Sequence, residues 1–121
     1  MTIALWIVSG VLTAMYLAAG IMKVSRPKDA LKKNLPWVES YSTGTVKFIG
    51  IVEILGAIGL ILPWLTGIAA ILTPLAASGL AIIQILAIIV HVRRREMNSL
   101  TVNIVLLLAA LFVAIFRFAG I

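Results

Sequence analysis

A chain of 121 residues has room for one domain, and 63% of its residues are hydrophobic, with a mean hydropathy of +1.20. That share lies far above the composition of a water-soluble domain, so most of the surface must contact lipid. The sequence contains no cysteine and one histidine, which excludes disulfides, iron–sulfur clusters, thiol chemistry and a bis-histidine haem within this chain. The net charge of +6 comes from basic residues beside apolar segments, which indicates headgroup contact and topology control, not nucleic-acid binding.

Four apolar segments follow one another along the chain. Each is long enough, at about 1.5 Å per residue, to cross a hydrocarbon core about 30 Å thick. We predict transmembrane spans over residues 3–22, 46–65, 68–92 and 100–118. No basic segment precedes the first span, which favours a retained helix over a cleaved signal peptide. The sequence therefore predicts an all-α membrane protein, a four-transmembrane-helix bundle that forms a single domain over residues 1–121.

The longest connection, residues 23–45, is rich in charge. Within it, residues 29–35 are predicted to form a short helix at the membrane interface, with Trp37 and Tyr41 as headgroup anchors. The loop is interpreted as a topology determinant, and it is also the place where a soluble protein partner or anionic lipid would dock.

The second and third spans are separated only by Thr66 and Gly67, which predicts a tight antiparallel hairpin. The third span contains Pro74. Because proline removes a backbone donor, we expect a kink at that position.

The basic residues lie almost entirely on one side of the predicted bundle. That side has Lys23, Arg26, Lys28, Lys32, Lys33, Lys47, Arg93, Arg94 and Arg95, and the other side has Arg117. By the positive-inside rule, the side with nine basic residues is cytoplasmic and both termini are on the same, non-cytoplasmic side. We expect an integral, multi-pass protein of a bacterial plasma membrane, surrounded by the lipid bilayer.

Small and polar residues recur at heptad-like spacing within each span. In the first span they are Ser9, Thr13, Tyr16, Gly20 and Lys23. Residues at this spacing share one helix face, so they are predicted to face the bundle interior, with glycines that let neighbouring backbones approach closely.

Five polar side chains are predicted to converge in the cytoplasmic half: Lys23, Glu53, Gln84, His91 and Asn103. An ionised side chain at a helix centre costs about 2.5–3.5 kcal/mol on insertion scales, so Glu53 must be protonated or paired. We expect Glu53 to be a proton- or cation-responsive group held against Lys23 or His91, with Gln84 and Asn103 completing the hydrogen-bond shell. The alternative is a buried ion pair that only fixes helix register. A ligand would enter from the cytoplasm past His91 and Lys23, and the outer half would be packing.

Several segments together resemble the DoxX-like family of small four-helix membrane proteins. They are GIMK at 20–23, KFIGIVEILGAIGLILP at 47–63, His91 followed by RRRE at 93–96, and Asn103 leading into a span that ends with Arg117. The resemblance implies that the family's functional positions correspond to four residues of this chain: Lys23, Glu53, His91 and Asn103. Lys47 departs from the arginine of the family pattern, which keeps the charge and loses the planar fork.

The resemblance implies a membrane component of a redox or oxidative-stress-related system, with a quinone-like small-ligand pocket in the cytoplasmic half around Glu53 and His91. Other branches of the family resemble assembly chaperones, so a non-catalytic assembly factor or scaffold is an alternative. A small proton-coupled transporter is a second alternative, against which the charge asymmetry argues. The sequence predicts no metal site and leaves open the cofactor, any catalytic activity and the formation of a homo-oligomer.

Overall fold

The computed structural model describes residues 2–31, 35, 41–97 and 100–120. In these residues the helices are α1 (Thr2–Ser25), α2 (Lys28–Leu31), α3 (Thr43–Thr66), α4 (Leu72–Arg93) and α5 (Leu100–Phe118). The four long helices are apolar enough and long enough to cross a membrane, and the described residues include no strand. The predicted bundle of four transmembrane helices is confirmed.

The four long helices form a ring in the order α1, α3, α4 and α5. The α1–α3 and α4–α5 pairs have the most extensive contacts, the α3–α4 contact joins them, and the α1–α5 contact is the smallest of the four. At one end the Arg117 guanidinium lies over the rings of Trp6 and Trp64, so the start of α1 and the ends of α3 and α5 meet there. We call this the terminal end and the opposite one the basic end.

The core of the bundle is narrow and rich in alanine. Its buried members are Leu12, Tyr16, Ala57, Leu60, Ala77, Leu80, Ala81, Ala110, Val113 and Ala114. Half of these are alanines, which lets the helices approach closely, as is common in membrane bundles where packing replaces the hydrophobic effect. Many of the large aliphatic side chains point outward instead, as Ile3 does with 76% of its surface exposed, and they form the face that meets lipid.

The closest approach between α1 and α3 is at two glycines. A Cβ atom added at Gly20 would lie 2.6 Å from the carbonyl oxygen of Gly50, and one added at Gly50 would lie 2.8 Å from the carbonyl oxygen of Gly20. No side chain fits between the two backbones at this level. Nearer the centre, Thr13 Oγ1 donates a hydrogen bond of 3.0 Å to the Ala57 carbonyl oxygen, which continues the same antiparallel contact.

The loop after α1 contains helix α2, Lys28–Leu31, which overlaps the short helix expected over residues 29–35. Helix α2 covers four residues and ends at Leu31, whose side chain is 1% exposed. Tyr41 is half-buried against Leu31 and its neighbours, so it contributes to packing. Residues 32–34 and Trp37 lie outside the described residues.

The hairpin between α3 and α4 is longer than predicted. Helix α3 ends with Gly67 in the left-handed conformation, φ 73°, and the Gly67 N–H donates to the Pro63 carbonyl oxygen at 3.0 Å. Glycine suits this position because it has no Cβ to clash there. Residues 67–71 form the turn, in which Ala69 also has a positive φ of 50°. The third membrane helix therefore begins at Leu72 and not at residue 68.

The expected kink at Pro74 is wrong. Pro74 is the third residue of α4, and the first backbone N–H groups of a helix have no acceptor within it. A proline there removes no hydrogen bond of the helix, so it is compatible with a regular start. The proline inside a helix is Pro63 of α3.

Pro63 leaves the carbonyl group one turn before it without its usual helical donor, since proline has no N–H. That carbonyl belongs to Gly59, and its oxygen accepts a hydrogen bond of 2.8 Å from Thr73 Oγ1 of α4. Thr73 is fully buried. A threonine of the next helix thus replaces the hydrogen bond that the proline removed, and it fixes the position of α4 on α3.

Thr73→Val is expected to destabilise the bundle by about 1–3 kcal/mol, because it leaves the buried Gly59 carbonyl without the hydroxyl donor. In a Pro63→Ala background the loss is expected to be smaller, since the restored backbone N–H can donate to the same oxygen. The measurement is the free energy of unfolding in detergent micelles for the four combinations. Equal losses in both backgrounds would show that the hydroxyl does not replace the missing helical bond.

Candidate functional site

An ion pair between α1 and α3 lies inside the basic half of the bundle. Lys23 Nζ donates to Glu53 Oε1, and the two residues are 8% and 3% exposed. A Cβ atom at Gly50, one turn before Glu53, would lie 2.9 Å from the Lys23 Cβ. The lack of a side chain at Gly50 therefore makes room for the lysine stem. Of the two partners expected for Glu53, the structure has Lys23.

The depth of this pair explains why a lysine suits it. Glu53 is ten residues into α3, or roughly 15 Å along the helix axis. Lys23 is two residues from the end of α1, and its long aliphatic stem carries the ammonium group inward from that boundary. Pairing offsets the cost of an isolated charge in this environment. The Lys23–Glu53 pair therefore adds no net charge to the basic half.

A second polar contact crosses the bundle diagonally. Gln84 Nε2 of α4 donates to Tyr16 Oη of α1 at 2.6 Å, and the residues are 5% and 2% exposed. Tyr16 and Lys23 are seven residues apart on α1, so Tyr16 lies on the same helix face as the partner of Glu53. Gln84 was expected to hydrogen-bond to the Glu53 site directly, and the structure corrects this: its partner among the described residues is Tyr16.

Sequence reasoning did not include Tyr16 among the candidate site residues. The signal was present, because Tyr16 is seven residues before Lys23 and therefore on the same face of α1. Its hydroxyl can both donate and accept a hydrogen bond. Glycine and alanine neighbours made the stripe look like ordinary packing.

Two buried amide atoms in the basic half have no hydrogen-bond partner among the described residues: Gln84 Oε1 and Asn103 Nδ2. Asn103, near the start of α5, is half-buried, and it is not joined to Glu53 by a hydrogen bond within the described part of the chain. Which Gln84 amide atom faces Tyr16 is assigned from hydrogen bonding. In either orientation one Gln84 amide atom is left over, so the Tyr16–Gln84 pair can take one more hydrogen bond.

His91 belongs to a different cluster, at the end of α4. Its Nδ1 lies 3.2 Å from Glu96 Oε1, and Arg94 Nε donates to the same oxygen at 3.1 Å. The chain turns here through Arg95, φ 59°, and the Glu96 N–H donates to the His91 carbonyl oxygen at 2.8 Å. The alternative that placed His91 against Glu53 is therefore corrected. Because the turn brings Glu96 back onto the last turn of α4, histidine and glutamate close the helix end together.

The terminal half contains more than apolar packing. The Arg117 guanidinium is 5.0 Å from the centroid of the Trp6 ring and 4.5 Å from that of Trp64, and Arg117 is 3% exposed. A cation over a desolvated aromatic face is stabilised by about 2 kcal/mol. Sequence reasoning placed Arg117 at the span end without this role. The signal was that Trp6 lies near the start of the first span and Trp64 near the end of the second, so an up-and-down bundle brings both to the same end.

The donors and acceptors of the basic half suit a small neutral ligand. They are a phenol, two carboxamides and a carboxylate already paired with an ammonium group. Within residues 2–31, 35, 41–97 and 100–120, no group of three histidine, cysteine or acidic side chains is arranged to hold a metal ion. A ligand here would be recognised by hydrogen bonds and apolar contact.

Comparison with known protein families shows which family this chain belongs to. A family model described as the DoxX-like family matches residues 7–113. The chain belongs to the DoxX-like family. Among curated proteins and among solved structures, nothing matches the chain. The matched region contains all five predicted site residues and Tyr16, whereas Trp6 and Arg117 lie outside it. Of the three residues in the Arg117–Trp6–Trp64 contact, the family match covers Trp64.

Proposed function

We propose that this DoxX-like protein is a membrane component of a redox or oxidative-stress-related system, and that it binds a quinone-like ligand in the basic half of the bundle. The ligand head would lie at Tyr16 and Gln84, beside the Lys23–Glu53 pair. The observation that carries the proposal is the amide of Gln84, which is 5% exposed and has an oxygen without a hydrogen-bond partner among the described residues. A polar atom left in this state costs about 1–3 kcal/mol, which a bound ligand would recover.

The Tyr16–Gln84 pair fits both redox forms of a quinone. With the Gln84 nitrogen toward Tyr16, as the structure has it, the amide oxygen is open to a quinol hydroxyl. With the amide turned over, the Tyr16 hydroxyl donates to the oxygen, and the nitrogen is open to a quinone carbonyl. Rotation of the Gln84 amide therefore exchanges the donor and acceptor roles of the Tyr16–Gln84 pair, and neither backbone has to move.

The residues around this pair would bind, orient and supply protons. A bound quinone would supply two-electron redox chemistry. Glu53 is a buried acidic group in the same half of the bundle, and Lys23 joins it to the basic end. This places a carboxylate between the ligand and the boundary, where proton exchange with water takes place. His91, held by Glu96, would act at that boundary and not on the ligand.

A non-catalytic assembly factor is the second candidate, and one observation favours it. The Lys23–Glu53 pair is closed and the Gly20–Gly50 contact beside it is tight, as a purely structural ion pair would be. The same closure argues against a proton-coupled transporter, because the carboxylate such an exchanger must offer to a cation already holds a lysine.

We further propose that the basic end faces the cytoplasm of a bacterium and that both termini are outside. The nine basic residues at one end support this orientation. Burial of Arg117 between tryptophans removes its charge from the headgroup region of the other end, so the asymmetry at the two interfaces is larger than the residue count suggests.

Because the sequence contains no cysteine, single cysteines can report this orientation. We expect Thr2→Cys to react with a membrane-impermeant maleimide on intact cells and Arg95→Cys to react only after lysis. Leu55→Cys, which faces lipid, serves as a control that reacts in neither condition. Labelling of Arg95→Cys on intact cells would reverse the proposed topology.

Saturable binding of a short-chain ubiquinone to the protein in lipid nanodiscs is the test of the ligand site. We expect Gln84→Leu to weaken binding of both the quinone and the quinol by about 10- to 100-fold, since one hydrogen bond to a buried group is lost. Ser9→Ala is the matched control: it removes a buried oxygen without a described partner near the terminal end and should leave binding unchanged. If neither form binds the wild type, or if Gln84→Leu binds like the wild type, the quinone site is refuted. The absence of binding to the wild type would favour the assembly factor.

A further inference from the structure

A lipid-facing groove runs between α1 and α5. Its volume is about 420 Å³, and its walls are formed mainly by Ile7, Val11 and Met15 of α1 and by Val102, Val105 and Ala109 of α5. That volume falls in the range of about 300–1,000 Å³ typical of small-molecule sites. The walls are aliphatic, so the groove suits an apolar chain and not a polar head.

The groove lies along the least packed side of the ring. Helices α1 and α5 contact each other less than any other adjacent pair, and the Arg117 guanidinium over Trp6 joins them near the terminal end. Below that clamp, the side chains of α1 that form hydrogen bonds across the bundle reach α3 and α4: Thr13 bonds to Ala57, Lys23 to Glu53 and Tyr16 to Gln84. The α1–α5 seam is therefore the least extensive contact in the ring.

A second groove, between α3 and α4, has a closed floor. A Cβ atom at Gly56 would lie 2.8 Å from Leu80 Cδ2, and one at Gly59 would lie 2.8 Å from the Ala76 Cβ. The Thr73 hydroxyl also bonds across this seam to Gly59. The tight contact and the hydrogen bond hold α3 and α4 together along this groove, whose volume is about 510 Å³.

The α1–α5 groove, in contrast, borders the polar site. Its wall includes Leu12, which is one helical turn from Tyr16, and Leu106, which is one turn from Asn103. Residues four or three apart on a helix are neighbours on its surface. The phenol that binds Gln84 and the partnerless Asn103 amide nitrogen are thus adjacent to the inner side of an apolar groove that opens to lipid.

A ligand that entered at the basic end, as the sequence led us to expect, would have to pass Lys23 and His91, both of which are engaged. Lys23 is engaged with Glu53 and only 8% exposed, while His91 is engaged with Glu96. A ligand arriving from water would have to break a buried ion pair. One arriving from the bilayer through the α1–α5 groove would not.

We infer that the α1–α5 groove holds the isoprenoid tail of a membrane quinone whose head lies at the Tyr16–Gln84 pair, and that the quinone enters sideways from the bilayer. This rests on the quinone site proposed above and adds its tail subsite and access route. The occupant is an amphiphile with one apolar chain and a neutral head, because the groove is aliphatic and the atoms beyond it are uncharged amide and phenol groups. An ordinary lipid chain and a second copy of this protein are the competing occupants.

The test fills the groove from one wall. Val105→Trp puts a large ring into it from α5, and Leu75→Trp makes a similar change in the α3–α4 groove; the original side chains are 59% and 50% exposed. The probes are a long-tailed ubiquinone and its tail-less head-group analogue, both bound to the full chain in nanodiscs. We expect Val105→Trp to weaken the long-tailed probe at least about tenfold and to leave the tail-less probe unchanged. Leu75→Trp should change neither.

Val11→Trp, which fills the same groove from α1, should reproduce the selective loss and guards against a local folding defect in α5. Unchanged binding of the long-tailed probe to both groove variants would mean that ordinary lipid occupies the groove. An equal loss of binding for both probes would mean that the variants disturb the head-group site and not a tail subsite. Either result overturns the tail assignment, as does conversion of a dimer to a monomer by the groove variants. If the wild type binds neither probe, the proposed function itself fails.

Discussion

The Lys23–Glu53 ion pair is the constraint on which the arrangement of this bundle depends. A carboxylate roughly 15 Å into a membrane helix cannot remain isolated, and an α1 lysine can reach it only if the two backbones come close. Gly20 and Gly50 provide that approach, since any side chain at either position would collide with the opposite carbonyl. The pair thereby sets the register of α1 against α3, and Thr13 and Ala57 continue the contact toward the terminal end.

With α1 and α3 in register, the other polar contacts join the remaining helices. Tyr16 comes near the depth of Glu53 and takes a hydrogen bond from Gln84, which connects α1 diagonally to α4. Thr73 joins α4 to the α3 carbonyl that Pro63 leaves open, and Arg117 joins α5 to the tryptophans. Helices in lipid associate through packing and such hydrogen bonds. The α1–α5 contact is the smallest in the ring, and for that reason we place ligand access there.

Hydropathy was enough to predict the four membrane helices, because unbroken apolar runs of this length have few other stable structures. That Glu53 has a basic partner also followed from the sequence, since depth and charge left two candidates, Lys23 and His91. The identity of the partner, and the contacts of Gln84 and His91, did not follow. They depend on how each helix is rotated and on which helices are diagonal, and a sequence of mostly aliphatic residues scarcely encodes either. Pro74 was misjudged for a simpler reason: α4 begins four residues later than the apolar run.

The most direct test of this account is the coupling between Lys23 and Glu53 in a double-mutant cycle. The free energy of unfolding would be measured in lipid micelles for the wild type, Lys23→Met, Glu53→Gln and the double variant. Each single change leaves a buried polar or charged group without its partner, so we predict losses of about 3 kcal/mol for Lys23→Met and less for Glu53→Gln. The double variant should lose clearly less than the sum of the two, because both partners are then uncharged. Additive losses, or single variants as stable as the wild type, would contradict the claim that this pair holds the bundle together.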